Sequence, residues 1–475
     1  MLKKEKPRIA ILLDHSGYED SRVFRTCKYL INAGMDVQLF TLHKGISKKK
    51  LKPNDLNGVT VRPVKLQENK LYPKFLVNLK SRYRRYQKIE IPKKSFPSNY
   101  KAEDNTLRIA KKLNKIIKKL VSIIGEIYWH KALTISMAES VLGFKPDVIY
   151  SNDLSTLGAG VKLSVKAQSK LIYDAHEFEQ DRNGVEANTA EFIRRQWESK
   201  FISKSDAVIT VSEGIAERLH QIYGIKKPTV ILNVPYQPQE NVYLSRDEVG
   251  LPEDKLIVLY VGNISAGRGI EVVIDALPAT LNLNPDIAFA ITATRNNARW
   301  LELKKQASIL GVEDSLVRID SVDQNQVTSL IRLADISIIP LQPTCESYRL
   351  SLPNKLFQSL KSGTRIVATP LPEIELILNR YKGGAVTSGF SSSDLATSLI
   401  SALKLPKKNY LPAKYSSEES ARRLKSIVNA LLSNNPVPKE ERFDFDPSIL
   451  KKSPWKKTAF NVRYIISKFL VSVCR

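Results

Sequence analysis

The segment Tyr260–Glu271, YVGNISAGRGIE, ends an apolar run at Gly262 and opens a helical pattern near Gly269. Glycine lets a bulky ligand approach the backbone, the free N–H groups of a helix N-terminus favour anions, and Arg268 adds a fixed positive charge. Gly262, Asn263 and Arg268 are therefore candidates for holding a diphosphate. A strand-to-helix turn with a solvated arginine is the competing reading, because the glycine spacing is not a strict dinucleotide fingerprint. About 90 residues further on, Pro353 precedes NKLFQSLKSG and puts Asn354 and Lys355 in a first helical turn. There they could address a phosphate or a sugar ring, or simply face solvent. In the first half, KLIYDA is followed by His176 and Glu177, and PDVIYS by Asn152 and Asp153. These polar residues at strand ends suit a polar substrate; a histidine bonded at a strand end and an Asx turn are the plainer readings.

Elements of two kinds must position these groups. RIAILL, DVQLFTL, PDVIYSND, KLIYDAHEF, DAVITVSEG and PTVILNVP are short runs rich in Val and Ile, separated by helical stretches. That alternation predicts a parallel sheet flanked by helices over residues 1–235. Prolines punctuate the stretch that follows, and a second alternation begins at LIVLYVG, continuing through DIAFAITA, SLVRIDS, ADISIIPL and TRIVATP. A second α/β domain is expected over 236–410, then a helix and tail over 411–475. Two doubly wound domains in tandem turn the carboxyl ends of their strands toward one cleft, where ligands bind. Transferases, epimerases and binding proteins all use such a cleft, so the fold alone does not choose among them.

Taken in order, these segments resemble the retaining glycosyltransferases of family four. YVGNISAGRGIE and LQPTCESYRLSLPNKLFQSLKSG are similar to the family's nucleotide-sugar loops, and the strand ends from SRVFRTCKYLINAG to TVILNVP are similar to its acceptor-side domain. The resemblance implies the GT-B fold, a nucleotide-sugar donor on the second domain, and transfer with retention to a lipid-linked or glycan acceptor in cell-surface polysaccharide synthesis. It implies no resident cofactor and no metal. His176 would lie near the donor sugar and the attacking hydroxyl, Gly17 would pass close to the donor phosphates, and Asp14 and His15 would face the acceptor. The family commonly places an Arg after the strand-ending glycine and a Lys five residues later; here those positions are Asn263 and Arg268. Of its two glutamates eight residues apart, the second binding the ribose, the counterparts are Leu350 and Gln358. Arg268, Lys355 and His176 are thus the expected catalytic groups, stabilising the diphosphate as it leaves an oxocarbenium-like sugar. A weakened relative that binds a sugar nucleotide or a polyanion is the alternative.

The 74 Lys and Arg outnumber 48 Asp and Glu, a formal net charge of +26. Most of the excess lies in two places. Residues 65–131 hold 18 basic against 5 acidic residues, and 451–475 hold 7 against none. Both include basic amphipathic patterns, over Arg108–Ile127 and in the tail from Trp455. Such helices suit an anionic membrane surface, although packing on the protein would produce the same stripe. A nucleic-acid-binding protein would more often be basic across its main surface, so nucleic acid is not expected as a partner. Cys27, Cys345 and Cys474 show neither pairing nor metal-ligand spacing. With no apolar run long enough to span a bilayer and no signal-peptide pattern, the expected location is cytoplasmic, on the inner face of the membrane.

Overall fold

The computed structural model describes residues 6–15, 20–43, 59–66, 130–183, 189–235, 243–293, 297–323, 325–382, 384–408 and 412–451. Gly17, the amphipathic pattern over Arg108–Ile127 and the tail from Trp455 lie outside them.

The apolar runs form strands because a parallel strand covered on both faces needs apolar side chains at every position. β1 (Arg8–Leu13), β2 (Asp36–His43), β3 (Thr60–Lys65), β4 (Val148–Asn152), β5 (Lys170–Ala175), β6 (Ala207–Thr210) and β7 (Thr229–Val230) make one parallel sheet. Its order is β3-β2-β1-β4-β5-β6-β7. β8 (Leu256–Tyr260), β9 (Ile287–Thr292), β10 (Leu316–Ile319), β11 (Ile336–Ile339), β12 (Arg365–Ala368) and β13 (Ala385–Val386) make the second, in the order β10-β9-β8-β11-β12-β13. Strand order reverses between β1 and β4, and again between β8 and β11. A crevice opens at each reversal, beyond the carboxyl ends of the strands.

β3 and β13 are absent from the sequence expectation. β3 carries Pro63 and is largely exposed, as an edge strand tolerates, and β13 has two residues, so neither makes a buried apolar run. The helix Ser417–Leu432 belongs by packing to the first domain: Leu424, Ile427, Val428 and Leu431 join Ile9, Ile11 and Val23 in one core. The chain after the second sheet therefore crosses back and ties the domains together.

Candidate active site

A cleft of about 370 Å³ lies between the domains, lined by Arg22, His176, Gly262, Asn263, Arg268, Asn354, Lys355 and Gln358 among others. Of the expected catalytic and donor-binding residues, Gly17 lies outside the described residues; the further candidates Asp14, His15, Asn152 and Asp153 are not part of this lining.

On the second domain, Gly269 caps the helix Ile270–Leu283 with φ +77°, and a Cβ there would lie 1.8 Å from the Pro340 carbonyl oxygen. Only glycine lets the two loops close on each other. At Gly262, φ is +128°, and a Cβ would sit 3.3 Å from Lys355 Nζ. The Lys355 ammonium rests 3.7 Å from the centroid of the Tyr260 ring, and the Arg268 guanidinium 4.9 Å from that of Tyr348. Among the described residues neither cation meets a carboxylate, and Arg268 Nε is buried with no hydrogen-bond partner. Burial, reinforced by the charge on Arg268, pushes Lys355 well below the usual lysine range. A guanidinium and a buried amine set together with no counter-ion form a site that favours an anion, since the anion would restore the amine's proton.

The neighbouring candidates behave differently. Asn263 uses its Oδ1 to accept from Ser265 N at 2.9 Å, so its side chain organises the turn. Asn354 donates across the cleft to Ser21 Oγ at 3.0 Å. Gln358 is 7% exposed, lines the cavity, and makes no hydrogen bond to a described residue. Leu350 is fully buried in the first domain's core, against the helix Glu213–Tyr223. A carboxylate there would face apolar side chains. The buried carboxylate beside it is Glu373, which accepts from Gly214 N at 2.7 Å and so caps a first-domain helix from the second domain. Burial raises its carboxyl to about 8.

On the first domain the histidine is built into a charged network. Asp174, fully buried, accepts from Arg22 Nε at 2.9 Å, Arg22 Nη2 at 2.6 Å and Tyr150 Oη at 2.6 Å. His176 Nε2 lies 3.2 Å from the same carboxylate without hydrogen-bond alignment, and His176 Nδ1 lies 3.3 Å from Asp153. Burial alone would lower the imidazole, but the two carboxylates outweigh it and raise it to about 10. His176 is therefore a cation at neutral pH. Burial would raise the Asp153 carboxyl, yet His176 holds it below its ordinary value. Asp153 has φ +57°, a left-handed conformation uncommon outside glycine, and backbone strain of this kind collects at functional sites.

Asn152 is buried and donates to the Leu12 carbonyl at 3.1 Å, joining β4 to β1. His15 lies 3.7 Å from Asp20, whose carboxylate caps the helix Ser21–Asn32 and lines the cleft. Asp14 is half-buried just after β1, and His15 is the last described residue of that loop. Sequence reasoning passed over Arg22, Asp174, Tyr348 and Asn183. A charged residue inside KLIYDA was the one available sign of Asp174; nothing local marks the others.

Comparison with known proteins bears on the fold and the family. Residues 96–234 match the family model described as Glycosyltransferase Family 4, and residues 243–419 match Glycosyl transferases group 1. D-inositol 3-phosphate glycosyltransferase 2 of Catenulispora acidiphila is 23% identical over 222 residues, covering 44% of this chain and 50% of that protein. The Stackebrandtia nassauensis D-inositol 3-phosphate glycosyltransferase is 22% identical over 246 residues, covering 48% and 54%. The chain thus spans about half the length of the curated relatives it matches. Among solved structures, sucrose-phosphate synthase from Thermosynechococcus elongatus superposes with a TM-score of 0.59 at 14% identity, covering 90% of this chain and 97% of that one. Anabaena HepE in complex with UDP and glucose superposes with a TM-score of 0.55 at 15% identity, covering 98% and 99%. At these identities the superpositions establish the fold, two Rossmann-like domains in the GT-B arrangement. With both family models falling in order on the two domains that build the cleft, the chain belongs to the family-four, group 1 type of glycosyltransferases.

Proposed function

We propose that the protein transfers a sugar, with retention, from a nucleotide-sugar donor to a lipid-linked or glycan acceptor in cell-surface polysaccharide synthesis. The observation that carries the donor assignment is the unpaired couple of Arg268 and Lys355 facing the cleft. Solved relatives of the same fold bound to UDP and UDP-glucose support a nucleotide diphosphate as the anion. Curated relatives named for D-inositol 3-phosphate widen the acceptor class to phosphorylated polyols. As the glycosidic bond breaks, charge grows on the diphosphate, and fixed cations stabilise that state without requiring a metal. His176, already protonated, does not take the acceptor's proton. The departing diphosphate oxygen does, on the face where the new bond forms, which is the geometry of retention.

Release of free nucleoside diphosphate across a panel of nucleotide sugars and acceptors tests this reading. Binding without turnover throughout the panel would instead favour the weakened relative, for which the absence of both family glutamates speaks. Gln358→Glu separates donor affinity from chemistry: restoring a charge-assisted acceptor is expected to tighten UDP by roughly tenfold, about 1 to 2 kcal/mol, in calorimetric titration.

Among the described residues no helix is long and apolar enough to cross a membrane. For an anionic membrane surface as partner, the support lies on the first domain, at the cytoplasmic face we propose. Lys131, Lys162, Lys166 and Lys200 are exposed, and burial together with the three neighbouring lysines lowers Lys162. Ile135 and Val165 stand exposed beside them, 42% and 74% accessible. Truncation after Lys451 spares Ile449 and Leu450, which pack into the first-domain core. It is expected to weaken salt-sensitive sedimentation with phosphatidylglycerol vesicles; unchanged sedimentation would remove the tail from the assignment.

A further inference from the structure

The segment His176–Asn183 leaves β5 at the cleft floor and runs against the second domain. There it grips the segment that carries Tyr348. Asp181 accepts from Glu346 N through its Oδ2 and from Ser347 N through its backbone carbonyl, both at 2.9 Å. Asn183, the last described residue of this segment, bonds two pieces of the second domain at once. Its Nδ2 donates to the Ala266 carbonyl at 3.0 Å and to Tyr348 Oη at 3.0 Å, while its Oδ1 accepts from Thr344 Oγ1 at 3.4 Å. Ala266 lies two residues before Arg268, and the ring of Tyr348 is the surface on which the Arg268 guanidinium rests. One first-domain amide therefore fixes both the backbone approach to Arg268 and the aromatic platform beneath it.

These contacts require the domains to be closed. Were the cleft to open, Asn183 would depart with the first domain, and the Ala266–Arg268 turn and Tyr348 would lose their common partner. Within the second domain the turn keeps the bond from Gln342 N to the Gly267 carbonyl at 3.2 Å, but the Arg268 side chain is held by little: its Nε has no hydrogen bond, and among the described residues it meets no carboxylate. We propose that Asn183 is a positioning residue that carries closure of the cleft to Arg268, so that the guanidinium is set for the diphosphate only when the acceptor domain is in place. The assignment rests on the transferase reading. It places a check on hydrolysis, since a donor bound to the open second domain would lack an ordered Arg268.

The test uses the full chain, with Asn183→Ala and the equal-sized Asn183→Asp, which replaces the donor to Ala266 by an acceptor. With a donor that turns over, each is expected to lower kcat about tenfold while the UDP Kd stays within about twofold, because UDP also binds the open form. In an Arg268→Ala background the further loss from Asn183→Ala is expected to fall below about twofold, the non-additivity of residues acting through one another. An additive loss, or a change in Kd with kcat intact, would overturn the proposal. Hydrogen exchange gives a readout that needs no turnover. With UDP bound, amides of residues 263–269 and 345–351 are expected to exchange about tenfold faster in Asn183→Asp than in the wild type. Equal protection would overturn the latch. A wild-type chain that consumes no nucleotide sugar would defeat the transferase reading and leave exchange to decide the latch.

Discussion

Arg268→Ala is expected to lower sugar transfer by about 100-fold or more, the scale of losing one fixed donor to a developing negative charge. The guanidinium meets no carboxylate among the described residues and has a buried Nε without a partner, so its removal breaks no ion pair described in the fold. Its only described contact of note is the Tyr348 ring. The melting temperature should therefore change little. The loss should appear mainly in kcat, since the diphosphate gains its additional charge in the transition state rather than on binding. Lys355 stays in place and, relieved of a neighbouring cation, becomes easier to protonate, so part of the binding is retained. Steady-state release of nucleoside diphosphate measures the effect, and turnover near the wild-type rate would remove Arg268 from the donor site.

Asp174→Asn is expected to damage both stability and activity. The carboxylate is fully buried and holds Arg22 in a bidentate pair, with the Tyr150 hydroxyl and the His176 imidazolium beside it. Removing one partner of such a pair leaves an uncompensated buried charge and costs about 3 to 5 kcal/mol. For a domain of this size that is a drop in melting temperature on the order of 10 °C.

The same network sets a pH dependence. His176 gains its carboxylate neighbours only on folding, and its pKa rises to about 10. Its contribution to stability is complete below the ordinary histidine value of about 6.5 and is lost as pH climbs toward 10. Urea midpoints of the wild type should therefore decline across that window, and His176→Gln should flatten the decline. A slope unchanged by His176→Gln would show that the imidazole is not held as a cation.

The chain's local chemistry was sufficient for the two-domain α/β architecture, though not for the edge strands β3 and β13. Apolar runs of four to eight residues, alternating with helical periods, mark strands buried on both faces, and a parallel sheet follows because each strand must be reached by a crossover. The glycines of YVGNISAGRGIE and the proline before NKLFQSLKSG likewise declare their backbone conformations in the residue types themselves. For that reason Arg268 and Lys355 could be placed from sequence on loops that end strands; the strand order of the second sheet is what opens those loops onto the cleft.

Other assignments needed the folded chain. Asn354 turns to Ser21 across the cleft and Leu350 enters the first domain's core, although both lie in a second-domain segment. Arg22 meets Asp174 from 152 residues away, and that meeting, with Asp153, converts His176 from a neutral strand-end histidine into a cation. The helix Ser417–Leu432 shows by its periodicity that it has an apolar face, but not that the face is matched to the first domain. Residue order fixes the side a segment must bury and the turns it can make. Which buried groups share a site depends on sheet register and domain closure, and these arise from the sum of contacts over the whole chain.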